Sequence, residues 1–106
     1  MSFELSSTAV IKQVANSLVA THQYTSVEEA LWELALTAVR TKIAYYQRRI
    51  RKLEKKYSVD FDTFTDQLQD QANPDEEDDW LAWRSARSML ADWQEAYRDL
   101  RNEHPR

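Results

Sequence analysis

Not one of the 106 residues is glycine, none is cysteine and only two are proline. Glycine supplies the positive-φ positions of tight hairpin turns, phosphate-binding loops and nucleotide fingerprints, so glycine-rich cofactor sites are excluded and an all-β architecture is disfavoured. Without cysteine there is no disulfide, no thiolate nucleophile and no Cys-ligated metal. No 18-residue apolar run is present to span a bilayer, and the opening Met1-Ser2-Phe3-Glu4 lacks the basic start and apolar core of a secretory signal. A cytoplasmic location away from membranes is therefore expected.

Neutral-pH bases are almost as scarce. His22 falls in an expected turn and His104 in the tail, neither with a nucleophile beside it, and no HExxH or comparable ligand spacing occurs. The acids Asp60 and Asp62 depart from a calcium loop at the fifth position, Phe64, and lack its turn glycine, while Asp75 to Asp79 are scattered around a helix axis. No catalytic residue, metal or cofactor is expected, and the chain is read as a non-enzyme.

What is present is an aromatic-rich core in a strongly charged chain. Hydrophobic residues make up 42% and charged residues 30%, with four Trp, five Tyr and three Phe, enough for one helical domain over residues 1–106. Val10, Ile11, Val14, Leu18 and Val19 recur at helical spacing and predict a short first helix over 8–20. Thr21 to Thr25 break that pattern. Ser26, three residues before Glu29, then forms a capping box that opens a second helix over 27–57, about 46 Å long at 1.5 Å per residue. In it Trp32, Leu36, Val39, Ile43, Tyr46, Ile50, Leu53 and Tyr57 alternate spacings of four and three, the seam of a coiled-coil-like contact. A second stripe, Val27, Leu31, Leu34 and Ala38, widens the apolar arc of the first half alone, which therefore needs two neighbours.

Asp60 caps a short connecting helix over 61–69 whose Phe61, Phe64 and Leu68 share a face, a plug for the end of the hairpin. Asn73-Pro74 with Glu76 starts a last helix over 74–102, whose Trp83, Ala86, Leu90, Trp93, Tyr97 and Leu100 repeat the same heptad spacing. The connector is too short to carry the chain back along the whole second helix, so the last helix should run antiparallel to it. The expected fold is all-α, a long antiparallel helical hairpin with one short helix before it and one at its turn. A hairpin alone cannot bury four Trp, so either the first helix or another subunit must cover them.

Charge is blocky. Residues 40–56 carry eight bases against Glu54, a net +7, and residues 60–79 carry nine acids and no base. Partial mutual neutralisation and favourable helix-dipole placement account for such blocks. The alternative is a basic face for an acidic partner or phosphate; nucleic acid is disfavoured because the neighbouring acids repel it and no helix-turn-helix or stacking sheet can be read. Aromatic residues on the seams are core. Tyr45, Arg48, Arg49 and Lys52 on the second helix and Trp80, Arg84 and Arg87 on the last lie beside the seams, and aromatic rings with arginine are what interfaces concentrate, so these seven are the candidate partner interface, centred on the junction of the charge blocks.

The stretch Glu54-Lys55-Lys56-Tyr57-Ser58-Val59-Asp60-Phe61-Asp62-Thr63-Phe64, followed by Glu76-Glu77-Asp78-Asp79-Trp80-Leu81-Ala82-Trp83, resembles a loose group of small, mostly uncharacterised α-helical bacterial and archaeal proteins. Their shared pattern is Glu-Lys-Lys-Tyr-Gly-x-Ser-Phe-x-x-Phe, an acidic stretch and a Trp-containing helix. Some are encoded beside toxin-like genes, so the resemblance implies an antitoxin-like protein partner of a neighbouring-gene toxin. It runs from about residue 40 to about residue 100 and carries no catalytic residue. Ser58 stands at the group's usual glycine, which weighs against a left-handed residue in this turn, and Asp60 stands at its usual serine, which preserves the cap. The residues themselves leave the occupant of the interface open between such a protein and a second copy of the chain in a homo-oligomer.

Overall fold

A computed structural model describes residues 3–21, 26–69 and 71–103. The expected break after Thr21, His22, Asp70 of the acidic block and the tail with His104 fall wholly or partly outside the described residues. Among the described residues four helices follow in order: α1 (Phe3–Ala20), α2 (Val27–Tyr57), α3 (Phe61–Leu68) and α4 (Pro74–Glu103). No strand occurs among the described residues, and none of these helices is long and apolar enough to cross a membrane.

The helix starts are set by their caps. Ser26 accepts the Glu29 amide at 3.1 Å, Asp60 accepts that of Thr63 at 2.7 Å, and Asn73 and Glu76 exchange reciprocal bonds at 2.9 and 3.1 Å. The first helix departs from expectation by beginning at Phe3 rather than residue 8. Ser6 and Ser7 lie within the helix, because serine inside a helix costs only ~0.5 kcal/mol relative to alanine and does not stop one. The ends of α3 and α4 differ from expectation by one residue each, within ordinary fraying.

At the end of α2 the chain does use a left-handed residue, contrary to the expectation drawn from the missing glycine. Ser58 sits at φ 58°, ψ 28°, and its amide closes onto the Glu54 carbonyl at 2.7 Å. Aromatic residues on both sides of it hold the reversal. Tyr57 and Phe64 lie 4.2 Å apart between ring centroids, Phe64 and Trp83 5.4 Å, and Phe61 meets Trp83 edge-on at 5.6 Å. Burying these rings offsets the roughly 1–2 kcal/mol cost of a non-glycine left-handed residue.

The hairpin is antiparallel. Trp32, near the start of α2, donates its indole N–H to the Leu100 carbonyl in the last turn of α4 at 3.3 Å, while Tyr57 and Lys56 at its other end reach Asp79 in the first turns of α4. Burial is concentrated near the two ends. At the turn, Phe64, Trp83 and Ala86 are each 1% exposed; toward the other end, Ala15, Ala30, Leu36 and Val39 are buried where α2 lies between α1 and α4. The wide apolar arc of α2 thus has its two neighbours, and Val27, Leu31 and Leu34 are half-buried, whereas Ala38 stays exposed. Between the ends, Ile43, Tyr46, Ile50, Leu90 and Trp93 are only half-buried. One seam between two helices covers one side of each ring.

Among the described residues α1 packs on α2 and makes no comparable contact with α4, so the helices lie side by side in a body of 59 × 39 × 21 Å. The radius of gyration is 19.5 Å, against about 13 Å for a compact chain of this length. Val10, Ile11 and Val14 of α1 remain 54, 52 and 43% exposed.

Two substitutions test this account by urea denaturation. Trp83→Ala should cost about 3–5 kcal/mol, because the other rings of the turn cluster lose their shared partner. Ser58→Gly should stabilise the fold by about 0.5–1 kcal/mol, because the left-handed conformation then carries no Cβ penalty.

Candidate functional site

The seven interface candidates do not form one surface. Tyr45, Arg49 and Lys52 lie on one side of the α2–α4 seam. Arg49 donates to the Tyr45 hydroxyl at 3.3 Å and stands 5.6 Å from its ring centroid, one helical turn on, and Tyr45 meets Tyr46 edge-on at 4.9 Å. Arg49 and Lys52, with Leu53, Lys56, Asp79 and Ala82, line a shallow groove of about 280 Å³. Trp80 and Arg87 pack against α3, which crosses the other side. The Trp80 indole donates to Thr65 Oγ1 at 2.8 Å and its ring stacks on Phe61 at 5.8 Å; Arg84 lies 5.5 Å from the Trp80 ring. Arg87 lies over Phe61 at 4.6 Å and pairs with Asp62 at 3.7 Å, on the wall of a groove that also takes in Ile50, Glu54 and Leu90. The grooves on the two sides share no residue. The single interface expected at the junction of the charge blocks thus divides in two: Tyr45 and Arg49 lie beside the seam on one side, and Trp80 and Arg84 on the side that α3 crosses.

The charge blocks meet at the turn end without extensive pairing. Lys56 and Asp79 form an ion pair at 2.6 Å, and Tyr57 Oη donates to the same carboxylate oxygen. These two bonds, Lys56 first, hold the Asp79 carboxyl below the usual carboxylate range. The Tyr57 phenol is pushed up, first by desolvation and then by its bond to Asp79, and Lys56 is raised chiefly by the same carboxylate. Arg48, Arg51, Lys52 and Lys55 are exposed and make no ion pair among the described residues. Among the described residues ion pairing thus reaches Lys56 of the basic stripe, whereas Arg48, Arg51 and Lys55 face away from α4 on the outer side of α2.

At the opposite end of the hairpin Tyr97 lies between two guanidinium groups, Arg40 at 5.8 Å and Arg101 at 6.0 Å from its ring centroid. Its phenol is pulled below the usual range, first by the Arg40 hydrogen bond and further by the charge of Arg101. Trp93 presents a contrast with Trp32 and Trp80, since its indole nitrogen is buried without a hydrogen-bond partner among the described residues.

The sequence did not reveal an apolar groove beside α3. Between α3 and α4, Thr65, Leu68, Gln69, Ala72, Glu77, Trp80 and Leu81 line an open groove of about 400 Å³, and Leu81 is 54% exposed. A signal was available: Leu81 is a large apolar residue off the heptad seam. Nothing in the sequence showed that α3 would fold back beside it. Among the described residues no three His, Cys, Asp or Glu side chains gather as metal ligands.

The Asp79 cluster sets an acid limit. Its folded pKa lies below the unfolded value, so its contribution is complete above pH ~4 and is lost as pH falls through the depressed value. Lys56 and Tyr57, both raised, contribute fully below pH ~10 and lose that contribution as pH rises further. Asp79→Asn should lower stability at pH 7 by about 1 kcal/mol, in the range of a partly exposed charge-assisted bond, and should flatten the pH dependence of unfolding between pH 2 and ~4, read by circular dichroism. Comparison with protein-family models, curated proteins and solved structures finds no match for this chain.

Proposed function

We infer that the chain is a non-enzymatic protein-interaction module, the antitoxin-like half of a two-gene pair acting in the cytoplasm. The observation that carries the reading is surface. The accessible area is 8057 Å², whereas a compact monomer of 12.6 kDa exposes about 6,200 Å². The excess, roughly 1,900 Å², is more than the ~800 Å² that each partner contributes to a standard protein–protein interface. Half-buried seam residues, the exposed stripe of α1 and the apolar groove beside α3 are part of that surface. Pinned rings such as Trp80, with Arg84 and Arg87 stacked nearby, are the side chains that carry binding energy at interfaces. The resemblance of residues 54–64 and 76–83 to proteins encoded beside toxin-like genes supports a toxin-like protein as the partner.

A second copy of the chain is the second reading. It is favoured by Val10, Ile11 and Val14, an exposed stripe on a helix whose main contact is with α2. Nucleic acid has weaker support, because the acids of α3 and of the start of α4 lie at the same end as the basic stripe.

Co-expression with the toxin-like product of the adjacent gene tests the leading reading. A stable complex and restored growth are expected, and neither appearing would overturn it. Light scattering at tens of micromolar separates the second reading, which requires twice the chain mass.

A further inference from the structure

Two neighbouring depressions run along the outer side of α4. One is the α3–α4 groove, with Leu68, Ala72, Trp80 and Leu81 as its apolar lining; the other, of about 400 Å³, is lined by Leu81, Arg84, Ser85, Ser88 and Met89. They share Leu81, so together they form one track along a helix surface. Ser85 and Ser88 are small enough to let a second helix approach α4 closely, and Trp80 is already held in place by Thr65 and Phe61, which removes ordering cost on binding. The dimensions and lining are those of a seat for the apolar face of a helix.

The charge around the track selects the occupant. Glu77 stands in the groove wall, Asp78 is the next residue along the helix, and Asp66 follows Thr65 on α3; all three are exposed and none is ion-paired among the described residues, and they outnumber Arg84, the base in the track lining. Among the described residues neither α1 nor the outer face of α2 matches the track. The outer face of α2, Arg48, Arg51 and Lys55, has the charge but no large apolar side chain, and the α1 stripe has the apolar side chains but only Lys12 as a base. We propose that the track over α3 and α4 receives a cationic amphipathic helix of a foreign protein, its apolar side chains against Trp80 and Leu81 and its lysines or arginines against Asp66, Glu77 and Asp78. The proposal rests on the reading of the chain as an interaction module and names the chemistry of its partner.

The probe is a synthetic amphipathic helix of leucine and lysine with leucine on one face, set against a leucine–glutamate counterpart. Binding is followed through the tryptophan indole N–H signals by nuclear magnetic resonance. The leucine–lysine peptide should shift the Trp80 signal and leave that of Trp32 in place, and the leucine–glutamate peptide should not bind. Leu81→Ser should weaken binding at least about tenfold. Leu81 is largely exposed, so this variant should keep its helical circular dichroism. Glu77→Gln combined with Asp78→Asn should weaken binding several-fold and reduce its dependence on salt. Equal binding of both peptides, no binding of the leucine–lysine peptide, or affinity unchanged by Leu81→Ser would overturn the proposal. So would a dimeric chain that Leu81→Ser converts to monomer, since a second copy would then fill the track. A natural complex indifferent to Leu81→Ser sinks this proposal and leaves the interaction reading intact, whereas failure of any natural complex, with peptide binding retained, sinks that reading alone.

Discussion

Trp83 is where α2, α3 and α4 meet, and the rest of the molecule depends on its burial. Tyr57 from the end of α2 stacks near it at 6.4 Å, and Phe61 and Phe64 from α3 enclose it at 5.6 and 5.4 Å. Ring contacts of this kind add about 0.5–1.5 kcal/mol each beyond the apolar area they bury. Their combined effect holds Ser58 in a left-handed conformation, brings Tyr57 and Lys56 onto Asp79, and directs α4 back along α2. Removing the ring would weaken the reversal and its polar cluster together, because each depends on the same closure.

Away from that cluster the fold meets the limit of a two-helix architecture. A helix pair has one mutual seam, and stable domains usually close such a seam with a second layer. Here α3 supplies a second layer only at the turn, and α1 extends the first layer sideways rather than covering it. The middle of the seam is left with half-buried Ile43, Tyr46, Leu90 and Trp93, and the outer face of α4 with Leu81 and Met89. Both the excess surface and the interaction reading come from this one geometric shortfall.

The candidate site shows the same limit from the sequence side. Heptad spacing told which residues lie on the seam and which lie beside it, so Trp83 and Leu36 were legible as core and Arg49 and Arg84 as flank. Helical periodicity gives an angle about one axis and says nothing about which flank of one helix faces which flank of another. Placing Tyr45 with Trp80 therefore needed the position of α3, which the sequence supplied as a short capped helix without a direction. The α3–α4 groove was invisible for the same reason: Leu68, Ala72, Trp80 and Leu81 form a groove only once two segments joined by a short loop have packed side by side.

The sequence by itself determined the helices, their caps, the antiparallel return and the charge of each segment. All of these depend on local hydrogen bonding, side-chain periodicity and connector length, which short stretches of chain carry within themselves. Only the tertiary structure decided that Ser58 turns left-handed, that α1 packs along α2 without covering α4, and that the flanking aromatic and arginine residues fall on opposite sides of the seam. Those outcomes depend on which apolar surfaces compete for the same neighbour. That competition is settled by the area each packing buries, a property of the whole arrangement rather than of any one helix.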